Sequence, residues 1–114
     1  MAKSHTFKVK TLTNRIAFEA YLKRKPKPNI IKSCNTYLDS LEPKNIGALL
    51  SSHGLSRNIY QCDDIEKLLS VYEELKQNTT ALALTANQYC NTAARSALAW
   101  FIKHLLEQNH GILD

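Results

Sequence analysis

Apolar residues recur along this chain at helical spacing in five stretches, separated by short polar or proline-bearing links. In the first stretch Phe18, Tyr21 and Leu22 fall at i, i+3 and i+4, with Ile16 and Ala20 beside them. This predicts a helix over about 14–24, capped by Thr13 or Asn14. Pro26 and Pro28 then interrupt it. Asn29 suits the cap of a second helix over about 30–41, burying Ile31, Cys34, Leu38 and Leu41 with Ile30 and Tyr37 at the flanks. Pro43 fits the first turn of a third helix that buries Ile46, Leu49 and Leu50 and stops near Gly54.

Asp63-Asp64-Ile65-Glu66 reads as a capping box, with Asp63 as the cap and Glu66 reaching back. Behind it Ile65, Leu68, Leu69, Tyr72 and Leu75 predict a fourth helix over about 64–77. A long last helix is expected over about 85–108. Its apolar positions, from Tyr89 and Cys90 through Ala94, Ala97, Leu98, Trp100, Phe101 and Ile102 to Leu106, form too wide a stripe for a surface helix. It is therefore expected to run through the centre. Residues 1–12 alternate weakly at Phe7, Val9 and Thr11 and read as a basic arm ahead of a single helical domain over 13–110. The expected fold is all-α, a compact bundle of four to five helices around the C-terminal one.

Composition sharpens this picture. The chain of 114 residues is the size of one domain, and three glycines and three prolines are too few for the turns of an all-β fold. Cys34, Cys62 and Cys90 cannot all pair within one chain and form no CxxC, so reduced thiols in a cytoplasmic protein are expected. No apolar run approaches the roughly 18–20 residues of a membrane span, and the N-terminus lacks the apolar stretch of a signal peptide.

Charge is unevenly placed. Residues 1–32 hold Lys3, Lys8, Lys10, Arg15, Lys23, Arg24, Lys25, Lys27 and Lys32 against Glu19 alone, a balance of +8; residues 33–114 carry −3. Such asymmetry points to a polyanionic partner, although a solvated face with cations at a helix C-terminus explains part of it. A membrane surface is disfavoured because the basic stretch has no aromatic-rich amphipathic helix to enter lipid.

Catalytic chemistry has little footing in the sequence. His5, His53, His104 and His110 are scattered, the cysteines lie far apart, and no zinc-ligand spacing or Gly-rich phosphate loop occurs. Glu74-Leu75-Lys76 matches the ExK element of metal-dependent nucleases, but it lies on a strongly periodic helix rather than a sheet. No enzyme activity, cofactor or metal is expected. Cys34-Asn35-Thr36 and Cys90-Asn91-Thr92 repeat a tripeptide, which fits chance or a duplicated helical hairpin.

The stretch FEAYLKRKPKPNIIKSCNTYLDSL at 18–41 resembles the opening helices of the SAM-like core-binding domain of tyrosine recombinases. It is also similar to a helical N-terminal module of bacterial HNH and restriction-type endonucleases. Phe18, Tyr21 and Leu22 match the first helix of that pattern, and Leu38 and Leu41 the second. NIYQCDDIEKLLSVYEELKQN at 58–78 and NQYCNTAARSALAWFIKHLLE at 87–107 resemble the middle and last helices of the endonuclease module. The sequence departs from the pattern at Cys34, where an aromatic is usual, and at Asn29-Ile30-Ile31, which replaces a Ser-x-x-Thr start. The resemblance implies DNA engagement by an accessory helical module, without cleavage or strand exchange.

The combined expectation is a non-catalytic nucleic-acid-binding domain, with double-stranded DNA favoured. Lys8, Lys10, Arg15, Lys23, Arg24, Lys25, Lys27 and Lys32 would contact phosphates, and Asn29 and Asn35 base edges. The alternative is a protein-interaction adaptor or homo-oligomer using the acidic edge Glu66, Glu73 and Glu74 or an exposed Trp100, or an inhibitor of a DNA-processing enzyme whose basic ridge binds an acidic protein surface.

Overall fold

The computed structural model describes residue 9 and residues 11–25, 27–77 and 90–109, the side chains of 90–92 excepted. Six α-helices account for most of these residues: α1 (Arg15–Lys23), α2 (Pro28–Lys32), α3 (Cys34–Ser40), α4 (Pro43–Ser52), α5 (Ile65–Gln77) and α6 (Cys90–Gln108). A 3-10 turn at Ile59–Gln61 links α4 to α5. The fold is the all-α bundle that the spacing predicts.

Asn14 caps α1, its side-chain oxygen accepting from the Ala17 amide at 2.8 Å. Phe18, Tyr21 and Leu22 are buried as expected, but Ile16 is 80% exposed. The second expected helix is two helices. Ser33, at φ −94° and ψ 5°, leaves the helical region between them. The bend turns Ile30 inward and leaves Ile31 48% exposed, the reverse of the expected pair. Asn29 does not cap α2. The fixed φ of Pro28 suits the first helical position, so the cap falls on Lys27 and Asn29 sits inside the first turn.

Helix α4 begins at Pro43 and buries Ile46, Leu49 and Leu50. It ends in a Schellman motif: the Gly54 amide donates to Ser51 O and the Leu55 amide to Leu50 O, both at 3.0 Å. Gly54 has φ 77°, a left-handed conformation that a side chain would strain.

The cap of α5 is Asp64, one residue later than the capping box predicts. Asp64 Oδ1 accepts from the Lys67 amide at 3.1 Å, the third residue of the helix, which leaves Glu66 too early to reach back. The Asp63 carbonyl accepts from the Val9 amide at 2.9 Å. The buried line of α5 is Ile65, Leu68, Val71 and Leu75. Val71 takes the place expected for Leu69, because successive residues lie about 100° apart on a helix and Leu68 already faces inward. Leu69 is 45% exposed.

The long helix α6 packs against α3, α5 and α1. Ala94, Ala97, Leu98, Phe101 and Leu105 are fully buried along it. The Phe101 ring meets Phe18 edge-on at 5.4 Å and Tyr60 at 5.6 Å, so three elements converge on one side chain. Residues 85–89 of the predicted last helix lie outside the described residues.

The described part of the expected arm lies on the domain. Val9 is 6% exposed and belongs to the core. The Thr11 amide donates to Asn109 Oδ1 at 2.8 Å, and Asn109 Nδ2 returns a bond to Thr11 O at 3.0 Å. Gln108 Nε2 donates to Leu12 O at 3.4 Å.

Two substitutions test this arrangement in urea titrations. Phe101→Ala is expected to cost about 3–5 kcal/mol by opening a cavity against Phe18 and Tyr60. Asp64→Ala is expected to cost about 1 kcal/mol as a lost cap, whereas Asp63→Ala stays within about 0.5 kcal/mol.

Candidate nucleic-acid interface

The end of α1 and the two ends of α2 carry most of the cations nominated from the sequence, with Arg15 at the start of α1. They are not equivalent. Arg15 Nη1 donates to Glu42 Oε2 at 2.8 Å, which raises the guanidinium pKa and directs its charge at α4. Lys23 pairs with Glu19 one turn earlier, also at 2.8 Å; the pairing raises the ammonium pKa and lowers that of the carboxyl. These two cations are already paired with carboxylates, both at exposed positions. Lys8 and Lys10 lie outside the described residues.

Arg24, Lys25, Lys27 and Lys32 differ: no carboxylate of the described residues lies within salt-bridge distance of them. Arg24 is the exposed C-cap of α1. Lys27 and Lys32, both exposed, stand at the two ends of α2, and Asn29 is exposed between them. Lys25 is half-buried because its ammonium lies 4.2 Å from the Tyr21 ring centre and 5.5 Å from that of Trp100. An aromatic face attracts a cation through its quadrupole and leaves the net charge in place. Lys25 is therefore positioned without being neutralised.

A further cation joins from α6. Lys103 Nζ lies 4.8 Å from the same Trp100 ring. Trp100 is half-buried, which leaves it a less open anchor than the adaptor alternative requires. The sequence places Trp100 and Lys103 at i, i+3 on one helix, but only the packing of α1 on α6 brings Lys25 to them. That contact is the signal sequence spacing lacks.

A cleft of about 410 Å³ opens beside this group, between α1 and α6. Ala17, Ala20, Tyr21, Arg24, His104 and Glu107 line it. The small side chains of Ala17 and Ala20 leave the space. Tyr21 OH donates to Glu107 Oε2 at 3.1 Å. Burial, with this bond next, pushes the phenol up to about 12. His104 is 4% exposed, its ring 4.7 Å from that of Tyr21 and its Nε2 2.7 Å from Thr13 Oγ1. Burial pushes the imidazole pKa down, and the Arg24 guanidinium adds to this. A smaller apolar groove of about 250 Å³ lies between α5 and α6, lined by Leu69, Tyr72, Ala99, Ile102 and Lys103.

Other chemistry-bearing groups are set apart from the cleft. Cys34 and Cys62 are buried free thiols; burial raises both, Cys62 to about 11. His53 pairs with Glu74, the acid of the ExK tripeptide. Among the described residues no group of three or more His, Cys, Asp or Glu could hold a metal ion. No helix among them is long and apolar enough to cross a membrane.

The fold and surface thus define an all-α bundle with a cationic-aromatic patch where α1 meets α6. Comparison with protein-family models, with curated proteins and with solved structures gives no match.

His104 gives a pH dependence with a definite sign. A histidine whose folded pKa is depressed binds its proton more weakly than in the unfolded chain. Its stabilising contribution is present above the unfolded value of 6.5 and is lost as pH falls below it towards the folded pKa. The facing groups are Arg24, Lys25, Glu107 and Tyr21. Melting temperature is expected to fall between pH 7.5 and pH 5, and the fall is expected to be shallower in His104→Gln.

Proposed function

We propose that this domain is a non-catalytic nucleic-acid-binding module, with duplex DNA as its principal ligand, that docks through the C-terminal end of α1 and through α2. The observation that carries this reading is the division among the cations. Arg15 and Lys23 are committed to carboxylates, while Arg24, Lys25, Lys27 and Lys32 keep their charge within a span of nine residues. Lys103 extends the group across Trp100 onto α6. Lysine and arginine displayed in this way contact phosphates and fix orientation without reading sequence. Asn29, exposed in the first turn of α2, would meet a base edge.

Support also comes from the resemblance of residues 18–41 to recombinase core-binding domains and endonuclease modules. The free thiols Cys34 and Cys62 suit a reducing, cytoplasmic setting.

Five phosphate contacts, from Arg24, Lys25, Lys27, Lys32 and Lys103, predict a log–log salt slope of about −4 to −5 for duplex binding. In the charge-reversed variant Arg24→Glu, Lys27→Glu, Lys32→Glu the slope is expected to fall to about −2, with the melting temperature retained. Fluorescence anisotropy at a series of salt concentrations reads both. A flat salt dependence in the unsubstituted chain removes the proposal.

A further inference from the structure

We propose that the cleft between α1 and α6 receives the base of an unpaired nucleotide, in nucleic acid whose phosphates lie on the adjoining cations. This rests on nucleic acid being the ligand of the α1–α2 surface.

The cleft has a built interior. His104 is nine-tenths buried and more, and it lines the cavity with one ring nitrogen engaged by Thr13. Its other nitrogen, Nδ1, takes no part in that bond. The depressed pKa keeps the ring neutral, so it offers hydrogen-bonding capacity without charge. Tyr21, 2% exposed and packed against His104 and Lys25, lines the cleft, and Glu107 supplies a carboxylate that already accepts from Tyr21 OH. A carboxylate has lone pairs for more than one donor, so Glu107 can still accept from the amino or imino group of a base.

Glu107 and Arg24, both exposed, give the cleft lining one charge of each sign, and Glu107 disfavours a bare inorganic anion. Arg24 on the lining, with Lys25 on the Tyr21 ring beside it, suits the phosphate that a base carries with it. A nucleotide presents this polarity, a neutral donor-bearing ring at one end and an anion at the other. The volume of about 410 Å³ lies within the roughly 300–1,000 Å³ of small-ligand sites. His104, 4% exposed, lies below the surface and beyond the reach of bases stacked inside an intact duplex, so the occupant is unpaired: an overhang, a gap or an extruded base.

Binding of the full chain to a blunt DNA duplex is compared with binding to the same duplex bearing a short single-stranded overhang, at fixed salt. The overhang is expected to tighten binding by roughly 5- to 100-fold. Ala20→Leu, at an exposed helical position, fills the mouth of the cleft. It is expected to abolish that gain while blunt-duplex affinity and its salt slope stay unchanged. Glu107→Gln keeps the shape and is expected to reduce the gain several-fold, roughly the effect of one lost charge-assisted bond. Circular-dichroism melts establish that both variants are folded. Equal affinity for the two duplexes in the unsubstituted chain overturns the cleft assignment and leaves the cationic surface standing. So does a full overhang gain retained in both variants. Absence of salt-dependent binding to either duplex overturns the surface and the cleft together.

Discussion

Removal of the apolar side of α6 from water is the interaction on which the rest of this structure depends. Helices α1, α3 and α5 each carry a single buried stripe, and each stripe finds its cover on α6. Ala94 and Ala97 bring neighbouring helices close, and Phe101 fills the space between Phe18 and Tyr60. The functional groups inherit their positions from this contact. Trp100 and His104 flank the buried Phe101 and Leu105, so the packing that orders the core also aims them at the end of α1. A cavity at Phe101 would loosen the cleft as well as the fold.

The same helix explains why cations of one segment behave differently. Carboxylates on α1 and α4 hold Lys23 and Arg15, the residues nearest to them. Past the last turn of α1 the chain meets α6, and there Lys25 rests on the rings of Tyr21 and Trp100. Ring contacts are worth about 0.5–1 kcal/mol at exposed sites, similar to an exposed ion pair, yet they do not cancel charge. A lysine restrained on an aromatic face loses less freedom on meeting a phosphate than one moving freely in water.

Much of the fold was legible because it rests on short-range rules. Phe18, Tyr21 and Leu22, Pro43 at a first turn and Gly54 at a C-terminus all act within one or two turns of chain. The misreadings occurred where two local rules competed. Pro28 and Asn29 both suit a helix start, and the proline takes it; Asp63 and Asp64 both suit a cap, and the second aligns with a buried Ile65. The bend at Ser33 has no glycine or proline to announce it, so the exchange of Ile30 for Ile31 was invisible. The site was legible only as a list of cations. The Glu19–Lys23 pair is an i,i+4 contact that spacing can show, but the pairing of Arg15 depends on Glu42, 27 residues away, and the seat of Lys25 on the meeting of α1 with α6. Helical periodicity carries no information about such partners.

The reciprocal amide bonds between Thr11 and Asn109, 98 positions apart, give the domain a clasp. Nearly the whole intervening chain must be gathered before the clasp can close, and that loop entropy is recovered only late in assembly. The clasp adjoins Thr13 and His104, so an opening at the chain's two extremities would reach the aromatic patch within a single helical turn. Occupancy of the patch and fraying of the ends would then be coupled equilibria, and a bound ligand would register as slowed amide exchange at residues it never touches.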